Sequence, residues 1–187
     1  MHQTRQVDLG FSAVQLVDAP DLYRNEGAWR WETVIPGFYN LWYALEGRGE
    51  LYCDGLHYPI APGSVFIFAP GQRIAASHDP NTPVRNFAAH FLPADASGAP
   101  RHRAEKLTLA GARIRSPSWF METIRMLMDC WREGDALSKR QASGLVYQLV
   151  LAAVRDAGRR DGVHSDEIIH GVVASLCESP GQWRSVA

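Results

Sequence analysis

The stretch 38-FYNLWYALEGRGELYCDGLHYPIAPGSVFIF-68 contains four short runs of aromatic and β-branched residues, separated by glycine, proline and aspartate. Runs with these separators predict β-strands joined by tight turns. Asp54-Gly55 lies between two of the runs, and this dipeptide tolerates the positive φ angles of a type I′ turn. The stretch therefore predicts a β-hairpin within a row of strands, at Phe38 to Glu46, Gly49 to Cys53, Leu56 to Ile60 and Ser64 to Phe68.

Three further runs of the same kind flank this stretch, at Trp29 to Val34, Arg73 to Ser77 and Arg85 to Phe91. Strands this close in sequence leave no room for the crossover helices of a parallel sheet. The pattern predicts a mainly β sandwich or barrel, followed by a loop over residues 94–105.

Beyond that loop the apolar residues follow the period of a helix. Ser116-Pro117 supplies a predicted N-cap and first turn for a helix that ends near Gly134. A second helix is predicted over 138–157. A third amphipathic segment begins at Ser165 and ends before Pro180.

The composition is that of an ordinary globular protein. The chain has 187 residues, of which 46% are hydrophobic and 21% charged, and this excludes the disordered and collagen-like classes. No apolar run reaches the roughly 18 residues of a membrane helix, and the first residues lack the hydrophobic part of a signal peptide. Cys53, Cys130 and Cys177 show no metal-binding spacing, which predicts reduced thiols in a cytoplasmic protein. The net charge of −1 gives no general affinity for nucleic acid.

Several short motifs carry a family resemblance. Gly47-Arg48-Gly49-Glu50-Leu51, Pro62-Gly63-Ser64 and Pro70-Gly71 resemble a cupin barrel. Residues 42–49 and Ala89-His90-Phe91 resemble, more narrowly, the effector-binding domain of AraC-type (AraC/XylS) transcriptional regulators. The resemblance implies a cupin-like jelly roll (a double-stranded β-helix). In this order, a barrel occupies 1–105, linker and dimerisation helices occupy 106–160, and a truncated helix-turn-helix domain begins within 165–187.

The same resemblance implies a function. A regulator of this type binds a small effector, such as a sugar or a small organic acid, inside its barrel. It forms a homodimer and contacts DNA through its helix-turn-helix domain, most of which this chain would lack. The alternative is a stand-alone cupin enzyme that acts on a small carbohydrate or an aromatic acid.

The positions that hold the metal ion in cupin enzymes argue against that alternative. By the spacing of the motif, the two paired histidine positions fall on Ile35 and Gly37, the carboxylate position on Asn40 and the third histidine position on Ile74. Isoleucine and glycine side chains have no donor atom, and a neutral amide is a poor ligand for iron or manganese. The sequence therefore predicts no metal, no cofactor and no catalytic residue.

Candidate effector-binding residues follow from strand alternation. If Asn40 points into the barrel, Trp42 and Ala44 share its face, so Trp42 is a stacking surface and Asn40 a hydrogen-bonding group. His90 and Asn86 are four residues apart in one predicted strand, so they share a face and are both candidates.

For two further sets of candidates the sequence leaves two arrangements open. Either Trp29 and Trp31 point inward, which is the favoured arrangement, or Arg30 and Glu32 do so and become pocket residues. His78 lies where cupins often carry a polar residue, so it is a candidate that faces the interior. For both His78 and His90, a satisfied structural histidine is the favoured alternative to contact with a ligand.

The second helix is apolar around more than half of its circumference. One explanation is dimerisation, which the resemblance implies, through Leu145, Leu149, Val150 and Val154. The other is that the helices cover the outside of the barrel within one chain.

Overall fold

The computed structural model describes residues 9, 11–95, 97, 99–100 and 107–158. Within these residues it has ten strands and two helices. The strands are β1 (Ala13–Leu16), β2 (Asp21–Arg24), β3 (Arg30–Val34), β4 (Tyr39–Glu46), β5 (Gly49–Cys53), β6 (Leu56–Ile60), β7 (Ser64–Phe68), β8 (Arg73–His78), β9 (Arg85–Ala94) and β10 (Leu109–Arg113), and the helices are α1 (Pro117–Glu133) and α2 (Ala136–Ala157).

The strands form two antiparallel sheets. The helix-side sheet has the order β1-β9-β4-β7-β10, with β2 also paired to β9, and the outer sheet has the order β3-β8-β5-β6. Asp54 and Gly55 have φ angles of 49° and 84°, as the predicted hairpin between β5 and β6 requires. This confirms the predicted fold class, an antiparallel cupin-like barrel followed by two helices.

Strand alternation separates two apolar cores. Leu41 and Tyr43 of β4 lie in a core between the helix-side sheet and the helices. Trp42 and Ala44 of the same strand lie in a second core between the two sheets, which we call the interior. Both faces of β4 are therefore buried, because the helices cover one face and the outer sheet covers the other.

Three strands escaped prediction. β1 and β2 have only four residues each, and β10 has the sequence Leu-Ala-Gly-Ala-Arg. Alanine and glycine have low strand propensity, and Gly111 has a φ of 67° where the register with β7 shifts. Since β10 pairs with β7, the barrel sheet extends beyond the boundary predicted at residue 105.

The two described helices match the prediction, but their N-caps differ from the predicted ones. Gly134 ends α1 in the left-handed conformation, as expected. Ser116 occupies the N-cap of α1, but its side chain makes no capping hydrogen bond, and its ψ of 72° differs from the usual extended cap. α2 begins two residues earlier than predicted, because the Asp135 carboxylate accepts hydrogen bonds from the backbone N–H groups of Leu137 and Ser138.

The residues predicted to form a dimer interface belong to the core of a single chain. Leu145, Leu149 and Val150 are buried, and Val154 packs against the same core. α2 contacts the sheet through β1 and β10 on one side and α1 on the other, which explains why it is apolar around so much of its circumference. Leu145, Leu149 and Val150 therefore have no surface left for an intermolecular contact, which corrects their assignment, whereas Val154 is only partly buried and its role in a dimer stays a prediction.

Neither described helix is long and apolar enough to cross a membrane. The predicted third helix and the helix-turn-helix segment, residues 165–187, lie outside the described residues.

Candidate functional site

Along the helix-side sheet, inward-facing side chains of the adjacent strands β9, β4 and β7 line the interior. Residues 40, 42 and 44 of β4 lie opposite residues 90, 88 and 86 of β9. Asn40 and Trp42 also lie opposite Phe68 and Phe66 of β7. The register places Asn40 beside His90 at one end of the interior and Ala44 beside Asn86 at the other.

The end beside Asn86 is closed by hydrogen bonds to the β2–β3 loop. The Asn25 amide donates to Asn86 Oδ1 at 3.0 Å and to the carbonyl oxygen of Val84 at 3.1 Å. The Val84 N–H donates to His78 Nδ1, so the other ring nitrogen, Nε2, carries the proton that it shares with the carbonyl oxygen of Gly27 at 2.5 Å.

This arrangement gives His78 and Asn86 a structural explanation. Both are buried, both ring nitrogens of His78 have protein partners, and Asn86 Oδ1 is bonded to the loop. Trp29 covers the His78 ring at 5.6 Å between ring centroids. His78 has no ring nitrogen left for an effector, which corrects its assignment as a ligand-binding residue and supports the alternative of a satisfied structural histidine.

The opposite end, which we call the rim end, contains Asn40, His90, Asp18 and Phe38. His90 Nδ1 lies 2.9 Å from the Asp18 carboxylate, and its ring lies 4.5 Å from the Phe38 ring. An ionised carboxylate can accept hydrogen bonds but cannot donate them, so His90 Nδ1 is the donor. This hydrogen bond fixes the orientation of the His90 ring. The side chains of His90 and Asp18 are 25% and 50% exposed, so this end reaches solvent.

Asn40 is the unusual residue of the site. It is 3% exposed, and its Oδ1 atom is buried with no hydrogen-bond partner. A buried acceptor without a partner costs free energy unless water or a ligand donates to it. The sequence prediction that Asn40, Trp42 and Ala44 share the interior face agrees with this geometry.

Trp42 is too deeply buried to offer a free ring face on which an effector could stack. It is 3% exposed, lies opposite Ala88 and packs edge to face on Phe66, with 5.6 Å between the ring centroids. Trp42 therefore forms the packed middle of the interior, between the closed end and the rim end.

The orientation of β3 is now decided. Trp29 and Trp31 pack against the interior core, whereas Arg30 and Glu32 are exposed on the outer face of the sheet. Burying those two charges would cost more than burying the tryptophans, so the favoured arrangement is the one formed. Arg30 and Glu32 do not line the interior, and this corrects their assignment as pocket residues.

Several residues of the site were not among the effector-binding residues that the sequence predicted. Trp31 approaches Phe68 to 6.0 Å between ring centroids, which forms an aromatic wall beside Asn40. Asp18 and Phe38 come from connecting segments, and only the tertiary structure brings them to His90. Cys53 also faces the interior, where burial raises the pKa of its thiol to about 12 and keeps it protonated.

The residues present do not fit a transition metal of the cupin type. Ile35 and Ile74, at two of the histidine positions, are buried in the interior core and offer no donor atom. Among the described residues, no three His, Cys, Asp or Glu side chains lie close enough together to hold a metal ion.

Comparison with known families identifies the barrel. Residues 24–150 match the family described as the AraC-like ligand binding domain. The chain belongs to this family. The AraC-like match begins at β2 and ends within α2, so it includes the interior, the rim end and most of the helical layer. No curated protein matches the sequence significantly.

Solved structures with a similar fold are distant in sequence. ToxT from Vibrio cholerae O395, in complex with (E)-4-(8-methylnaphthalen-1-yl)but-3-enoic acid, is 8% identical with a TM-score of 0.43, over 92% of this chain and 68% of that chain. A predicted oxalate decarboxylase from Thermotoga maritima is 19% identical with a TM-score of 0.36, over 38% of this chain and 63% of that chain, less than two thirds of its length. A cupin protein from Bacteroides fragilis is 15% identical with a TM-score of 0.34, over 51% and 89%.

Proposed function

We propose that this AraC-like domain is the sensing region of a DNA-binding transcriptional regulator, and that a small organic effector binds at the rim end of its interior. The observation that carries the proposal is the buried Asn40 Oδ1 atom, which has no hydrogen-bond partner. In a ligand-binding domain, an acceptor that is desolvated but unpaired is the group that a ligand would complete.

The difference between the two ends of the interior supports this location. At the closed end, His78 and Asn86 are bonded to the β2–β3 loop. At the rim end, His90 and Phe38 are only partly buried. An effector entering beside His90 would reach Asn40 without displacing a protein hydrogen bond of the closed end.

The regulatory part of the proposal concerns what the effector changes. Effector binding biases a regulator only if the effector binds its two arrangements with different affinities. In our proposal the protein is a cytoplasmic homodimer. Its DNA contacts belong to a helix-turn-helix domain that the sequence predicts to begin at residue 165. The isoleucines at the metal positions favour this role over that of a cupin enzyme.

The second copy of the homodimer needs a surface other than the buried face of α2. Leu137, Gly144 and Leu151 are all exposed, and their spacing of seven residues places them on one stripe of the helix. A Cβ atom added at Gly144 would meet no atom within 4 Å, so this stripe leaves room for a second helix.

A ligand screen tests the proposed function. Sugars, sugar acids, aromatic acids and uncharged aromatic compounds are tested by thermal shift on the purified chain. A ligand at about a hundred times its dissociation constant adds about 2.7 kcal/mol to the free energy of unfolding, which raises the melting temperature by several degrees. We expect one chemical class to stabilise the protein.

Tryptophan emission then locates the bound compound. Trp31 lies at the interior wall, whereas Trp119 is exposed on α1. The change in emission on binding should become smaller in Trp31→Phe, where Trp29 and Trp42 still report from the interior, and stay unchanged in Trp119→Phe. A screen with no stabilising compound, or an emission change lost only with Trp119, would overturn the proposed function.

A further inference from the structure

Three arginines meet where α2 ends and α1 begins. The buried Asp156 carboxylate accepts a hydrogen bond from the Arg115 backbone N–H at 2.9 Å and another from Arg155 Nε at 3.2 Å. Arg113, at the end of β10, donates through Nη1 to the carbonyl oxygen of Pro62 on the β6–β7 turn. We call these three arginines, Arg113, Arg115 and Arg155, the basic junction.

The positive charge of the basic junction is not neutralised at the surface. All three arginines are exposed, whereas the Asp156 side chain is only 2% exposed. The segments that meet here, residues 57–72, 107–121 and 144–158, contain no aspartate or glutamate other than Asp156. Three positive charges therefore face one negative charge, and that negative charge lies beneath the surface.

The arginines of α1 have a different environment. Arg125 lies 3.0 Å from the Glu122 carboxylate, and Arg132 forms the same kind of ion pair with Asp129, three residues away. Such pairs are typical of a solvated helix face. The basic junction has no exposed carboxylate in its segments, and a cluster of arginines without acidic neighbours is typical of a surface that binds phosphate groups.

The place of the basic junction in the chain favours DNA as the source of those phosphates. α2 ends at Ala157, and the sequence continues with Arg159 and Arg160. Residues 159–164 separate α2 from Ser165, where the helix-turn-helix domain is predicted to begin, and six residues span at most roughly 20 Å. A duplex bound by that domain would lie within reach of the junction.

We infer that the basic junction binds the phosphate backbone of DNA and adds a sequence-independent contact to those of the helix-turn-helix domain. The inference rests on the proposed function, because that domain would bring the DNA to the junction. Guanidinium groups pair with phosphate oxygens, and such contacts position a protein on the duplex without reading its bases. The sensing region itself then contributes to the affinity for DNA.

Duplex binding by the whole chain tests the inference. Fluorescence anisotropy of a labelled DNA duplex of arbitrary sequence measures the dissociation constant over a range of salt concentrations. Arg113→Gln combined with Arg115→Gln removes two charges of the junction and leaves the ion pair of Arg155 in place. Arg30→Gln combined with Arg73→Gln is the matched control, because both arginines are exposed on the outer sheet, on the other side of the barrel from the helices.

We expect the wild type to bind the duplex with an affinity that falls as the salt concentration rises. The junction variant should bind more weakly, and its slope of log Kd against log salt should be lower by about two, one for each lost contact. The control variant should bind like the wild type, although it has lost the same charge. A second duplex of different sequence should give the same differences, and circular dichroism checks that each variant is folded.

Three results would overturn the inference. The first is a wild type that does not bind the duplex even at low salt. The second is equal weakening in both variants, because binding would then follow net charge alone. The third is binding of poly-L-glutamate as tight as that of the duplex and lost in the junction variant, because the surface would then suit an acidic protein partner. None of these results involves the interior, so the ligand screen described above decides effector binding independently.

Discussion

Gly47 shows how one residue fixes the closed end of the barrel. It has a φ of 86°, and a Cβ atom added there would lie 2.2 Å from the carbonyl oxygen of Pro83. The neighbouring Arg48 pairs through its backbone with Asp79 and Thr82. The β8–β9 turn therefore rests directly on the backbone of the β4–β5 turn, which only glycine permits.

Substitution of Gly47 should cost more than substitution of a glycine with the same backbone angle but free space. Gly55 has a φ of 84° and would meet no atom within 4 Å. We expect Gly55→Ala to lower the free energy of unfolding by about 1–2 kcal/mol for the left-handed backbone, and Gly47→Ala by about 2–5 kcal/mol because the clash adds to it. Urea unfolding measures both, and equal losses would contradict the close approach.

At the scale of the element, α2 depends on its first turn. The Asp135 carboxylate accepts hydrogen bonds from the Ser138 hydroxyl and from the backbone N–H groups of Ser138 and Leu137. These bonds, that from the Ser138 side chain above all, lower the pKa of Asp135 below its ordinary value. The ionised form is therefore the one that caps the helix.

The cap should make part of the stability depend on pH. Because the folded pKa is depressed, the stabilisation is present above the pKa of the unfolded chain, about 3.9, and is lost as the pH falls through the folded pKa. We expect Asp135→Ala to melt at a lower temperature than the wild type at neutral pH, with a difference that shrinks in acid.

Asp135→Ser is the matched control for this cap, because its hydroxyl accepts the same backbone hydrogen bonds without titrating. It should retain most of the melting temperature at neutral pH. Calorimetric scans across the pH range measure all three proteins. A difference between Asp135→Ala and the wild type that stays constant into acid would rule out a charged cap.

At the scale of the whole molecule, the homodimer depends on the exposed stripe of α2. We expect Leu137→Glu combined with Leu151→Glu to convert the protein to a monomer, because two charges would face the second copy. Leu56→Glu is the control, since Leu56 is also exposed, at 60%, but lies on the β5–β6 hairpin.

Sedimentation velocity over a range of protein concentrations measures the mass of each variant. A wild type that stays monomeric at every concentration would contradict the dimer, and a dimer that survives the double substitution would place its interface elsewhere.

The sequence by itself determined the order of the strands from β3 to β9 and of the two helices, and much of the inward pattern. Asp54-Gly55 determined the hairpin, because few dipeptides accept two positive φ angles, and alternation placed Asn40 and Trp42 on one face. These are local properties. Each follows from a residue and its neighbours in the chain.

Only the tertiary structure decided which faces were covered and which polar atoms were satisfied. Leu145 and Leu149 have the same pattern in a dimer interface as in a core, and the sheet and α1 beside them made them core. His78 and Asn40 are both buried polar residues. The loop from Asn25 to Gly27 supplies a hydrogen-bond partner to His78 at one end of the interior, whereas Asn40 Oδ1 at the other end has none. Burial and hydrogen bonding join residues far apart in the chain, so no local pattern specifies them.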